Sequence, residues 1–133
     1  MKKLILLLCT FVAMASCADK PFVIIQIADA QLGFDAAVKG QVPGAEYVND
    51  LTYETAYLQQ AVGMVNGLKA DAVVFTGDQV NKPEDVEQWD TFADAISEID
   101  SNVSVFHIPG NHDVLLSEGK VDVTPFSSRY GDD

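Results

Sequence analysis

The sequence predicts an α/β domain with a β-α-β-α-β parallel core. Apolar, β-branched runs at Pro21–Ile27, Asp71–Thr76 and Val103–Ile108 each stop abruptly at a polar residue, a glycine or Pro-Gly, as buried strands feeding loops do. Two longer segments between them carry apolar residues at helical spacing. Strand, helix and strand in that order imply right-handed crossovers and parallel pairing.

Before the first strand, Met1-Lys2-Lys3 is a short basic region and Leu4 to Ala15 a mostly apolar one. The pattern reads as a bacterial export signal over residues 1–17, since the apolar stretch falls short of the roughly 20 residues a membrane-spanning helix needs. Met14-Ala15-Ser16-Cys17 resembles a lipobox, which implies that Cys17 becomes the acylated N-terminus of a periplasmic or cell-surface protein. Simple secretion with cleavage near Ala18 is the alternative. Cys9 and Cys17 are the only cysteines, so the exported part has no disulfide and no thiol nucleophile.

The first strand ends in Ala28-Asp29-Ala30-Gln31-Leu32-Gly33. Residues 34–50 hold Gly40, Pro43 and Gly44 without periodicity and are expected to form a long loop, a kind of segment that is often functional. From Leu51 to Leu68, capped by Asn49 or Asp50, Leu58, Ala61, Val62, Val65 and Leu68 define the buried stripe of a helix. Tyr53 and Tyr57 on it read as packing residues with wet hydroxyls. The second strand closes in Gly77-Asp78. Pro83 at a first helical position, followed by Glu84 and Asp85, predicts a second helix to about Asp100, with Val86, Trp89, Ala93 and Ile96 inward. Glu87, Asp90, Asp94 and Glu98 form its solvated face. The third strand ends in Pro109-Gly110-Asn111-His112-Asp113, and His107 within it reads as a hydrogen-bonded wall residue.

The chain has 133 residues, 48% of them hydrophobic, enough to bury one core and too many for a disordered chain. Eight basic against twenty acidic residues give a net charge of −12, which excludes nucleic acid and anionic membrane as electrostatic partners. Divalent cations are attracted by the same field and invert it locally, so a phosphorylated substrate remains compatible. Membrane contact is expected only through a lipid anchor at Cys17.

Asp29, Asp78 and Asn111 each leave the carboxyl end of a predicted strand, the rim where open α/β sheets bind ligands. Taken singly, each is an ordinary turn residue. Together their carboxylate and carboxamide oxygens suit hard or borderline divalent metals, and an acid shared by two ions would follow the logic of two-metal hydrolysis.

Asp29-Ala30-Gln31, Gly77-Asp78-Gln79-Val80-Asn81 and Gly110-Asn111-His112-Asp113 resemble, in order, the D-x-H, G-D-x-x-[ND] and G-N-H-[DE] blocks of the calcineurin-like metallophosphoesterases. The Gln31 variant and the terminal Phe126-to-Asp133 segment are most similar to the subgroup of calcineurin-like phosphoesterase-domain-containing protein one. The resemblance implies the N-terminal part of a four-layer α/β/β/α sandwich over residues 21–133, two divalent ions (manganese, iron, zinc or magnesium) and hydrolysis of a phosphate ester. It assigns Asp29 and Gln31 to the first metal, Asp78 to both and Asn111 to the second. His112 would protonate the leaving-group oxygen or stabilise the transition state, and Asn81 would orient that ring through its side-chain oxygen. Gln31 replaces an imidazole with a weaker, harder ligand. The family's later histidines have no counterpart, because none follows His112. Either the enzyme is completed by further chain, or the sequence is a non-catalytic lipoprotein that binds cations or a partner through its acidic rim.

Overall fold

The computed structural model describes residues 20–44, 46 and 48–131, so the expected export signal at 1–17 lies outside the described residues. Strands β1 (Ile24–Ile27), β2 (Ala72–Thr76) and β3 (Ser104–Ile108) form one parallel sheet in the order β1-β2-β3. The register sets Ile27 beside Phe75 and Phe75 beside His107, which makes the three carboxyl ends level. The lower end is tied as well: Asp71 accepts the Val23 N–H at 2.8 Å and pairs with Lys20 at 3.3 Å.

Crossovers of one hand through a sheet of sequential order place their helices on one face. Helices α2 (Thr52–Gly67) and α3 (Val86–Ile96) share a core with Val73 and Phe75 through Leu58, Val62, Val65, Phe92 and Ala95. The opposite face is not covered within the described residues, where Ile24, Phe106 and Ile108 are 61%, 55% and 51% exposed. The sequence reading of β1 and β3 as buried strands is therefore corrected: each is covered on one face only.

Helix α2 follows the expected stripe except at Leu68, which lies one residue past the helix and is exposed. Asp50 Oδ1 accepts the Thr52 N–H at 3.1 Å, satisfying a free donor of the first turn. Tyr53 and Tyr57 pack edge-on against each other and stay exposed. Helix α3 starts three residues later than Pro83 suggests, because Asp85 takes the cap and accepts from the Glu87 and Gln88 N–H groups. Its inner stripe is Gln88, Trp89, Phe92 and Ala95, whereas the expected Val86 and Ala93 are exposed. The buried amide of Gln88 interrupts the apolar pattern that periodicity reads. Glu87, Asp90 and Asp94 do form the exposed face, while the helix ends at Ile96 rather than near Asp100 and leaves Glu98 exposed in the turn beyond it.

The expected long loop contains a six-residue helix, α1 (Phe34–Lys39), whose first-turn Asp35 N–H donates to Glu54 Oε1 at 2.7 Å and whose Asp35 pairs with Lys39. A helix this short shows no periodicity in sequence. After the third strand come an antiparallel hairpin, β4 (Leu115–Ser117) and β5 (Lys120–Asp122), and helix α4 (Thr124–Tyr130). Glu118 and Gly119 both have positive φ, as a two-residue hairpin turn requires. Phe126 and Tyr130 of α4 pack against Val80 and Trp89.

Candidate metal centre

The rim is built by two loops that continue side by side beyond the sheet. After β1, the Asp29 N–H donates to Gly77 O, Gln31 N–H to Asp78 O at 2.8 Å and Leu32 N–H to Gln79 O; the Asn81 N–H returns to Leu32 O. Leu32 and Val80 form a parallel bridge and are fully buried, so apolar anchors hold a loop whose neighbouring residues stay polar. Asp29, Gln31 and Asp78 have φ of 53°, 42° and 49°, three of the five non-glycine residues in the left-handed region among those described. That conformation costs a non-glycine residue free energy, and inter-loop hydrogen bonds hold it here.

The third loop closes onto Asp78. Gly77, at φ 102°, faces Gly110: a Cβ on Gly77 would lie 2.9 Å from the Gly110 Cα. A Cβ on Gly110 would overlap the Asp78 carboxylate and its backbone nitrogen. Only glycine permits this approach, and it lets the His112 N–H donate to Asp78 Oδ1 at 3.0 Å. The His112 ring is held by the backbone carbonyl of Asn81, 2.9 Å from Nδ1, which corrects the expectation that the Asn81 side chain orients it. A carbonyl only accepts, so Nδ1 carries a proton and Nε2 is left for other partners.

Asp113, the last residue of the Gly110-Asn111-His112-Asp113 block, is completely buried. Its Oδ2 accepts the Gly110 N–H at 2.8 Å, and its Oδ1 accepts those of Gln79 at 2.8 Å and Val80 at 3.2 Å. It thereby fastens the β3 exit to the β2 exit. Burial pushes its carboxyl up, opposed by these three donors. Gln88 plays a like part below Asn81, accepting the Asn81 and Lys82 N–H groups and donating to Asn49 Oδ1. Sequence reasoning missed both, since neither breaks any rule of turn or helix composition. His107 is half-buried and bonded to Gln79, as expected of a wall residue.

Among the described residues no group of three or more His, Cys, Asp and Glu side chains comes together. The candidate donors carried by the three rim loops are the carboxylates of Asp29 and Asp78 and the carboxamides of Gln31 and Asn111. An all-oxygen set of this kind fits magnesium or manganese completed by water better than it fits zinc.

No curated protein is matched by the sequence. Among solved structures, the chain is similar to a dimetal phosphatase from Danio rerio, at 24% identity and a TM-score of 0.46 over 69% of this chain and 30% of that one. The chain thus spans less than a third of that protein's length. The profile of the calcineurin-like phosphoesterases matches residues 22–132, from the first strand through all three rim loops. The chain belongs to the calcineurin-like phosphoesterase family.

Proposed function

We propose that this chain acts in metal-dependent hydrolysis of a phosphate ester at the rim formed by Asp29, Gln31, Asp78, Asn111 and His112. The observation that carries the reading is the left-handed backbone at three of the four candidate ligands, held by bonds between loops. Asp29 and Gln31 would hold one ion, Asp78 both and Asn111 the other. Bound divalent ions supply Lewis acidity and a hydroxide at neutral pH. The chain's own part is to fix the Asp78 carboxylate through the His112 N–H and to present His112 Nε2: with Nδ1–H committed to the Asn81 carbonyl, Nε2 first takes up a proton from solvent and then passes that proton to the leaving oxygen. With a net charge of −12, phosphate has no electrostatic reason to bind without the cations. Export and lipid attachment at Cys17 complete the proposal; detergent-phase partitioning lost in Cys17→Ala supports them, and unchanged partitioning removes them.

A second reading, cation binding without turnover, is favoured by the lack of a three-residue acid or histidine cluster among the described residues. Titrating the protein with Mn²⁺, then with inorganic phosphate, then assaying p-nitrophenyl phosphate separates the two. Mn²⁺-dependent turnover that disappears in Asp78→Asn supports the enzyme. Mn²⁺-dependent phosphate binding without turnover supports the second reading. Phosphate binding without Mn²⁺, or Mn²⁺ binding unchanged in Asp78→Asn, refutes both.

A further inference from the structure

His107 lies in β3, outside every rim loop, yet its ring is held more tightly than a wall residue needs. It is stacked between Phe75, centroids 5.3 Å apart and 9° from parallel, and Tyr130, 3.9 Å and 15°, with Phe92 edge-on at 6.1 Å. Three aromatic neighbours fix the plane of the imidazole, and its Nδ1 lies 2.8 Å from Gln79 Oε1.

The direction of that bond follows from the next link. Gln79 Nε2 faces the Ile108 carbonyl at 3.4 Å and Asp113 Oδ2 at 3.5 Å. Both are acceptors, Asp113 as the carboxylate that already receives three backbone N–H groups. The Gln79 nitrogen must therefore point to them and its oxygen to His107, so His107 Nδ1 carries a proton and donates. Gln79 and Asp113 are 1% and 0% exposed, so water does not replace either of them.

We propose that His107 is a positioning residue for the metal rim: through Gln79 it aims Asp113, and Asp113 fixes the Asp78 loop against the Asn111 loop. The donor, not the ring volume, is what the position requires. Burial lowers the His107 pKa to about 4, which keeps the ring neutral with one donor at physiological pH. Tyr130, pushed up to about 12 by burial, stays a neutral phenol and adds no charge to the stack. The chain runs from α4 through β3 to the rim, so the last helix is coupled to the loops by ring stacking and three side chains.

The consequence for metal rests on the rim being the binding site, whereas the clamp itself does not, and the experiment reads them separately. His107→Phe keeps the stack and removes the donor; His107→Asn returns an N–H near the Nδ1 position. Amide hydrogen exchange of the metal-free protein is the first readout. In His107→Phe, protection of the Gly110, Gln79 and Val80 amides falls about tenfold or more relative to Val73 and Phe75 in β2, and His107→Asn recovers part of it. Gln79→Met gives the same pattern, and the double variant adds little, since both cut one chain. The second readout is Mn²⁺ affinity, which weakens about tenfold in His107→Phe, the scale of lost supporting contacts behind metal ligands. Unchanged relative protection in both single variants, or additive losses in the double variant, overturns the proposal. Altered protection with no Mn²⁺ binding even in the wild type upholds the clamp and overturns its service to a metal.

Discussion

Two glycine-to-alanine substitutions should act in opposite directions. At Gly110 an added Cβ runs into the Asp78 carboxylate and its backbone nitrogen, and the backbone side of that contact has no rotamer to escape by. Overpacking of this kind costs about 1–3 kcal/mol, and displacing Asp78 also breaks its bond from the His112 N–H, for a total of about 2–4 kcal/mol. At Gly63, inside α2, nothing lies within 4 Å of the added carbon. There alanine removes the flexibility of glycine from the unfolded chain and stabilises by about 0.5–1 kcal/mol. Urea denaturation followed by helical circular dichroism measures both, and Mn²⁺ titration follows the first. Gly110→Ala should lose Mn²⁺ binding along with stability, while Gly63→Ala keeps it. A Gly110→Ala protein within about 0.5 kcal/mol of wild type and with unchanged Mn²⁺ affinity would refute the reasoning that close approach of the loops sets the rim.

Asp85→Ala removes the acceptor for two first-turn donors of α3 and should cost about 1–2 kcal/mol in the same denaturation assay; a loss under about 0.3 kcal/mol would mean water replaces the cap at no cost. Stability should also fall in acid through His107, whose folded pKa of about 4 lies below the ordinary 6.5. Between those two values the unfolded chain takes up a proton that the folded chain resists, so stability is lost as pH falls from 6.5 toward 4 and does not depend on this group above it. Partial exposure holds the effect to about 1–2 kcal/mol, read as the difference between wild type and His107→Phe in urea midpoints at pH 7 and pH 4.5. Parallel pH profiles for the two proteins would contradict it.

The strand-exit positions of Asp29, Asp78 and Asn111 were legible because each apolar run ends in a residue that does not belong to a strand, and the parallel register levels those ends. What holds the rim was not legible. Asp113, Gln79 and Gln88 are polar residues whose burial depends on which backbone donors the fold brings to them, and no spacing along the chain encodes that meeting. Asn81 was placed at the correct neighbour, yet its carbonyl rather than its amide holds His112, a choice made by loop direction. The inner stripe of α3 differs from the expected one for the related reason that a buried Gln88 looks solvent-facing in sequence. β1 and β3 are less buried than their sequences suggest, since an apolar run does not say how many faces of a sheet are covered.

On the proposed function, cations bind the rim and not the acidic face of α3. Mn²⁺ added in small steps to ¹⁵N-labelled protein broadens the amides nearest each bound ion, which locates the site without need of turnover. Binding at the rim broadens the amides of Asp29, Gln31, Asp78, Asn111 and His112 first. Broadening that begins at Glu87, Asp90 and Asp94 on α3 and at Glu98 just past it, while the rim amides stay sharp, would contradict this.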